Sequence, residues 1–360
     1  KGIVEIAENA AMVVTDRGYT RLQKEWRKEA GKKIKCPLIQ VETDVIVPVE
    51  EASSKEEYAA RTLRPRIHKL LNKYMQPLEK RELRKSSLGI NLEIEELDLS
   101  EPDKVLNNLG LINRLPGRFD YHGGINEARG YLFNFIQNRL DLYPEWKNNP
   151  AIDGLSNMSP YLHFGQVSPL YIALKVEETG SPGAETYLEE LIVRRELAIN
   201  FVHFNPFYDE FQSLPDWCRK TLEEHTKDRR EYTYSFDELE RGKTHDKYWN
   251  AAQDQMVYSG KMHGYMRMYW GKKIIEWTEN PREAYEIALE LNNRYELDGR
   301  GPNGFAGVAW CFGKHDQPWK EREIFGKIRY MNDRGLKRKF DADTYVNQVE
   351  KTVSSLKKNV

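Results

Sequence analysis

Residues 244–310 read THDKYWNAAQDQMVYSGKMHGYMRMYWGKKIIEWTENPREAYEIALELNNRYELDGRGPNGFAGVAW, and this stretch decides the fold. It holds four of the eight tryptophans: Trp249, Trp270, Trp277 and Trp310. Asn280-Pro281-Arg282-Glu283 is an Asn cap, a proline at the first helical position and a glutamate at the third. It opens a helix to about Asn293. Trp270 and Trp277 are seven residues apart and share one helix face. Indoles so dense, mixed with Arg267, Asp298 and turn glycines, are unusual for a plain helical core, although aromatic packing explains most tryptophans. Read as an electron path, the indoles would have to sit nearly in contact and end at solvent. Asp298 is the expected counter-charge of Arg267, in a pair that is worth little at a surface and, when buried, keeps the desolvation of its two charges matched.

Gly299-Arg300-Gly301-Pro302-Asn303-Gly304 matches GxGxxG. A dinucleotide fingerprint needs a strand before it and a helix after it. Here the helix-like LNNRYELD precedes it and Pro302 lies inside, so it reads as a tight turn.

Outward from this stretch, almost everything after Ile125 reads helical. Ile125 to Tyr143 is expected as one amphipathic helix. Ser168-Pro169 opens another to about Glu178. Glu185 to Phe204 carries Leu188, Leu191, Ile192 and Ile199 at helical spacing. Leu155-Ser156-Asn157-Met158-Ser159-Pro160 sets short polar side chains before a helix, as an N-cap or as an anion site. Gly326 to Phe340 interleaves basic residues with Tyr330 and Phe340, which suits a phosphate backbone or a solvated helix face. Residues 76–124 are broken by Pro77, Pro102, Pro116, Gly117 and two glycines and read as a long linker. Before it, Ser53-Ser54 signals a helix start that runs to about Met75.

The first 50 residues differ. Ala11–Thr15 and Pro37–Val41 are β-branched runs with a helix at Tyr19–Ala30 between them, one strand–helix–strand unit of a parallel sheet. Such a sheet needs more strands to cover its faces. With Lys1 as the first residue, the expectation is an N-terminally shortened form of a longer protein. Three domains follow: 1–50 as an α/β unit, 51–124 as helix and linker, and 125–360 as a large all-helical domain.

Composition narrows the classes. The 55 Lys+Arg nearly balance 56 Asp+Glu, which argues against a wholesale polyanion binder but not against a local basic patch. Three distant cysteines without a CxxC pair support neither a disulfide framework nor structural zinc, and the eight histidines show no paired-ligand spacing, so no metal is expected. No apolar run approaches membrane-spanning length, and an intracellular, monomeric protein is expected.

Leu155–Pro169, Glu189–Phe201, Lys243–Gln253, Gly260–Trp277, Leu291–Trp310 and Gly326–Met331 together resemble class II cyclobutane pyrimidine dimer DNA photolyases, of the photolyase/cryptochrome superfamily. The resemblance implies a mainly α fold: a helical FAD-binding catalytic domain preceded by the remainder of a Rossmann-like antenna domain. By position, Tyr143, Leu155, Ser156, Asn157, Met158, Ser159 and Asn200 would hold the phosphates and ribityl chain of FAD. Arg267, Asn292 and Asp298 would surround the isoalloxazine, with Asn292 near its N5. Trp270 would be the nearer and Trp249 the farther member of the electron-transfer pair, with Trp277 left as packing. Glu190, Met268, Trp310 and Arg329 would contact the flipped-out dimer, Glu190, if protonated or water-linked, by hydrogen-bonding a pyrimidine carbonyl. Arg194 stands where some members have tryptophan, and Lys147 where an arginine can occur. The implied activity is light-driven repair of cyclobutane pyrimidine dimers in UV-damaged DNA by an electron from photoexcited reduced FAD. A cryptochrome-like FAD light receptor is the alternative, and no antenna chromophore is assigned.

Overall fold

The computed structural model describes residues 2–79, 81–91, 98–111 and 121–358. Pro116 and Gly117, expected to break the linker, lie outside the described residues; its described part contains one short helix, Pro102–Asn108.

The strand–helix–strand unit forms as expected. β1 (Val13–Asp16) and β2 (Leu38–Val41) pair in parallel, with Val13 opposite Leu38 and Asp16 opposite Val41. The crossover helix runs Arg21–Lys33. Gln23 Oε1 accepts from the Thr20 N–H at its start, which satisfies a backbone donor no helical carbonyl can reach.

Three helix boundaries differ from the sequence reading, each for a local reason. Ser53 does not start the long helix: its hydroxyl turns to Glu57 and accepts from the Lys55 N–H. The helix begins at Ala60 and ends at Tyr74. The expected Ile125–Tyr143 helix stops at Asn138, and Pro144 starts a separate turn, Tyr143–Trp146. The Glu185–Phe204 helix is interrupted by a π-helical turn over Glu189–Arg194, which periodicity cannot reveal.

After that turn, every residue from Arg195 to Val202 is buried. This segment packs against the Pro302–Cys311 helix, which in turn meets the helices Gly264–Trp277 and Pro281–Tyr295. The Gly264–Trp277 helix is buried nearly all round, including Met266, Tyr269, Trp270, Ile274 and Trp277, so it is the centre of the bundle rather than a face of it. The Lys247–Ser259 helix lies on it, covered outside by Ala342–Lys358. The glycine motif is the turn anticipated. Gly301 caps the Pro302 helix, and a Cβ on Gly299 would meet the Asn292 carbonyl at 2.7 Å. Two core clusters result, one around the tryptophan helices and one joining residues 46–75 to 128–197.

Candidate functional site

Two cavities flank the Leu155–Ser159 segment. One, of about 320 Å³, is lined by Tyr143, Ser156, Met158, Ser159, Glu190 and Asp298 among others. The second, of about 450 Å³, takes Leu155 and Asn157 from the same segment, with Lys261 and His263. Alternate residues of one short run therefore face both cavities. Asn157 makes this possible by adopting a left-handed conformation, φ 57°, which asparagine tolerates better than most side chains. Ser156 Oγ accepts from Tyr187 Oη at 3.1 Å.

The helix that follows is only Ser159–His163, too short for a strong dipole. The fixed positive charge there is Lys261, whose ammonium donates to Ser159 Oγ. Sequence reasoning did not single out Lys261.

Arg267 is the electrostatic centre. Its primary partner is Glu296, with Nη2 to Oε1 at 2.9 Å, while Asp298 Oδ1 stands off at 3.7 Å. The expected Arg267–Asp298 pair is present, and Glu296 adds a closer partner: one guanidinium serves two buried carboxylates. Asp298 follows the glycine turn and drew the eye; Glu296, one helical turn after Asn292, carried no distinguishing signal. Burial acts to raise the Asp298 carboxyl, but Lys261 and Arg267 hold it down, to about 2. Burial lifts Glu296 to about 7 against the pull of Arg267. Burial likewise opposes the charge on Arg267, yet the two carboxylates outweigh it and the guanidinium stays cationic.

Beside this cluster Asn292 is buried, and its Oδ1 has no hydrogen-bond partner among the described residues. The same is true of Arg267 Nε, Glu296 Oε2 and Asp298 Oδ1. Four unpartnered buried polar atoms in one place are costly unless something polar meets them. Donors and acceptors of this kind fit the polar edge of an isoalloxazine. Asn200 does not share the site. Its Oδ1 accepts from the Glu57 N–H at 2.7 Å and its Nδ2 donates to the Lys55 carbonyl at 3.0 Å. These bonds tie residues 55–57 to the bundle, and Asn200 lines neither cavity.

The indole pair is in contact. Trp249 and Trp270 stack with centroids 6.4 Å apart and planes 8° from parallel. Trp270 Nε1 donates to Gln253 Oε1, and Trp249 Nε1 donates to the Trp270 carbonyl. Trp249 does not reach solvent, being 0% exposed. Trp277 lies edge-on to it at 5.5 Å and meets half-buried Tyr234 at 5.1 Å. The order in space is thus Trp270, Trp249, Trp277, which the seven-residue spacing of Trp270 and Trp277 conceals.

On the other side, the π-turn presents Glu190, paired with Lys147 Nζ at 2.6 Å. Trp310 is half-buried between the Arg194 guanidinium, 5.5 Å over its ring, and the His315 edge at 6.4 Å. Arg329 lies 5.4 Å over exposed Trp319. Met268 is half-buried against the tryptophan core. Of the four residues expected at the dimer, Glu190 alone lines the 320 Å³ cavity. No cluster of metal-ligating side chains and no membrane-spanning helix occurs among the described residues.

Comparison with known proteins agrees with this geometry. A model of the DNA photolyase family matches residues 2–83. A deoxyribodipyrimidine photo-lyase of Methanothermobacter thermautotrophicus is 53% identical over 96% of this chain and 76% of its own length. One from Arabidopsis thaliana is 45% identical, covering 97% and 72%, and one from Potorous tridactylus 40% identical, covering 94% and 64%. Among solved structures, a bacterial class III photolyase from Agrobacterium tumefaciens superposes with a TM-score of 0.68 at 19% identity, covering 96% of this chain and 69% of its own. A Synechocystis cryptochrome does so at 0.70 and 15%, covering 96% and 70%. The fold is that of these photolyase and cryptochrome structures. The chain belongs to the DNA photolyase family.

Proposed function

We propose that this protein repairs cyclobutane pyrimidine dimers in UV-damaged DNA in a light-driven reaction, as a class II photolyase with FAD as cofactor. The observation that carries the reading is the buried Arg267–Glu296–Asp298 cluster with the unpartnered Asn292 Oδ1 beside it. When bound and reduced, FAD supplies, on absorbing blue light, the electron that splits the cyclobutane ring and is then returned to it. Two carbon–carbon bonds break, no net oxidation occurs, and the protein's task is to position and to shield.

Arg267, Asn292 and Asp298 hold the isoalloxazine; Tyr143, Leu155, Ser156, Asn157, Met158 and Ser159 hold the ribityl and phosphate part, with Lys261 as counter-cation. The dimer leaves the duplex to reach the cavity, and its weakened pairing and stacking lower that cost. The Lys147–Glu190 pair meets the pyrimidine edge: with Lys147 compensating its charge, Glu190 accepts from a ring N–H while the ammonium donates to a carbonyl. Trp310, Met268 and Arg329 form the outer contacts of the lesion strand. Trp270 and Trp249 return electrons to the resting cofactor, a task separate from repair.

The test is a dimer-containing oligonucleotide incubated with pre-reduced protein. Conversion to the repaired strand in blue light and none in the dark is expected. Flavin bound without light-dependent conversion would favour a cryptochrome-like receptor instead.

A further inference from the structure

Glu296 is absent from every role assigned above, yet it is the closest anion to Arg267. It lies at the end of the Pro281–Tyr295 helix, 1% exposed. Its Oε1 accepts from the Met262 N–H at 3.1 Å and from Arg267 Nη2 at 2.9 Å. Its Oε2 is buried without a partner among the described residues. One carboxylate oxygen is therefore fully satisfied and the other is bare.

Asp298 differs. Lys261 and Arg267 both act on it, and Ser159 hydrogen-bonds it. The charged and titratable groups around Glu296 are the following, with buried His263 next to the Met262 that donates to it. Arg267 faces it from the central helix and Lys261 from the loop before that helix. Asp298 faces it from two residues on. The phenols Tyr121 and Tyr345 face it from the linker's end and the C-terminal helix. His163 acts through Asp298. Two cations thus meet two carboxylates, and the cluster is balanced only while both are ionised. A third negative charge placed beside Arg267 breaks that balance. Adding charge without compensation inside a buried site is costly, and the group that is easiest to neutralise gives way. Asp298 is held ionised by its cations and its hydroxyl donor. Glu296 has an open oxygen ready to carry a hydrogen, and burial already favours its neutral form.

We propose that Glu296 takes up a proton from solvent when the flavin held by this cavity is reduced to its anionic state, and releases it on reoxidation. The inference rests on the FAD reading above. Reduction by an external reductant then consumes two electrons and two protons, one proton on the cofactor and one on Glu296, in place of two electrons and one proton. Glu296 is a positioning residue for charge and touches no substrate.

The experiment is a redox titration of the flavin-bound protein across pH 5.5 to 9, wild type against Glu296→Gln, after recording the flavin absorbance of both. For a two-electron couple each proton contributes about 30 mV per pH unit. Wild type is expected to show a window of about 60 mV per pH unit, and Glu296→Gln about 30 mV throughout. A steep window retained in Glu296→Gln would put the proton on the cofactor or on Asp298 and overturn the proposal, as would a single shallow slope in wild type. A second readout needs no variant to fold: a protonated-carboxyl band in the reduced-minus-oxidised infrared spectrum of wild type is expected, and its absence is contrary. A wild-type protein that binds no flavin sinks the FAD reading itself, which the absorbance shows before any titration begins.

Discussion

Trp249 and Trp270 are stacked 8° from parallel, and the Trp249 indole N–H is bonded to the Trp270 carbonyl. Contact of this kind fixes both rings in a dry interior, and under the proposed function it would give an electron a defined path. The two tryptophans sit on different helices, 21 residues apart in the chain, so their contact is a product of packing and not of local periodicity.

Replacing Trp270 by Phe should therefore slow photoreduction of the oxidised cofactor severely while leaving repair by chemically pre-reduced protein near wild type. Steady-state bleaching of the flavin band and a repair assay on pre-reduced protein measure the two separately. Equal loss of both would end the division of labour.

Trp249 is wholly buried, so a positive charge left on it needs a further stop. Trp277, edge-on at 5.5 Å, and Tyr234 beyond it supply one. Trp277→Phe should give normal initial charge separation in transient absorption but faster back-reaction and a lower yield of reduced flavin. An unchanged yield would place the exit elsewhere and return Trp277 to packing, the role the resemblance implies.

Glu190 and Lys147 form a half-exposed ion pair at the cavity. Replacing Glu190 by Gln removes an anionic acceptor, and the dimer should bind about tenfold more weakly, the worth of one charge-assisted hydrogen bond. Binding of dimer-containing against undamaged oligonucleotide in the dark reads this directly. A loss confined to undamaged DNA would contradict the assignment.

Glu196 gives a stability prediction. It is buried, its Oε1 accepts from the Ile46 and Val47 N–H groups, and burial raises its carboxyl to about 8. The folded state therefore holds a proton that the unfolded chain releases near the ordinary carboxyl range. Its contribution is fully present below that range and is lost as pH rises toward 8, by on the order of 1 kcal/mol per pH unit. Glu196→Gln keeps the acceptor oxygen without the ionisation. Denaturant titrations from pH 5 to 8 should show a flatter stability profile in the variant; parallel profiles would mean that Glu196 does not titrate on unfolding.

Much of this was legible in the sequence, and the exceptions share a cause. The Asn280 and Ser168 caps and the β1–β2 unit are local signals that were read correctly, whereas the Ser53 start was not, because its hydroxyl is engaged by Glu57 and Lys55. Arg267 was found because it lies one helical turn before Trp270 in a tryptophan-dense stretch. Its true first partner, Glu296, was missed because partner choice depends on how two helices and a loop converge. The partners of Asn200 were hidden for the same reason: asparagine in a buried helix needs partners, and only packing shows that the backbone of residues 55–57 supplies them. The π-turn that carries Glu190 and Arg194 leaves no periodic trace at all.

The central claim is that this cavity drives repair of cyclobutane dimers with light. The most direct measurement follows two oligonucleotides, one with a cyclobutane dimer and one with a 6-4 photoproduct, under blue light and in the dark with pre-reduced protein. The account predicts restoration of the dimer strand in light alone, and none of the 6-4 strand. Repair of the 6-4 strand only, or no light-dependent change with flavin bound, would contradict it.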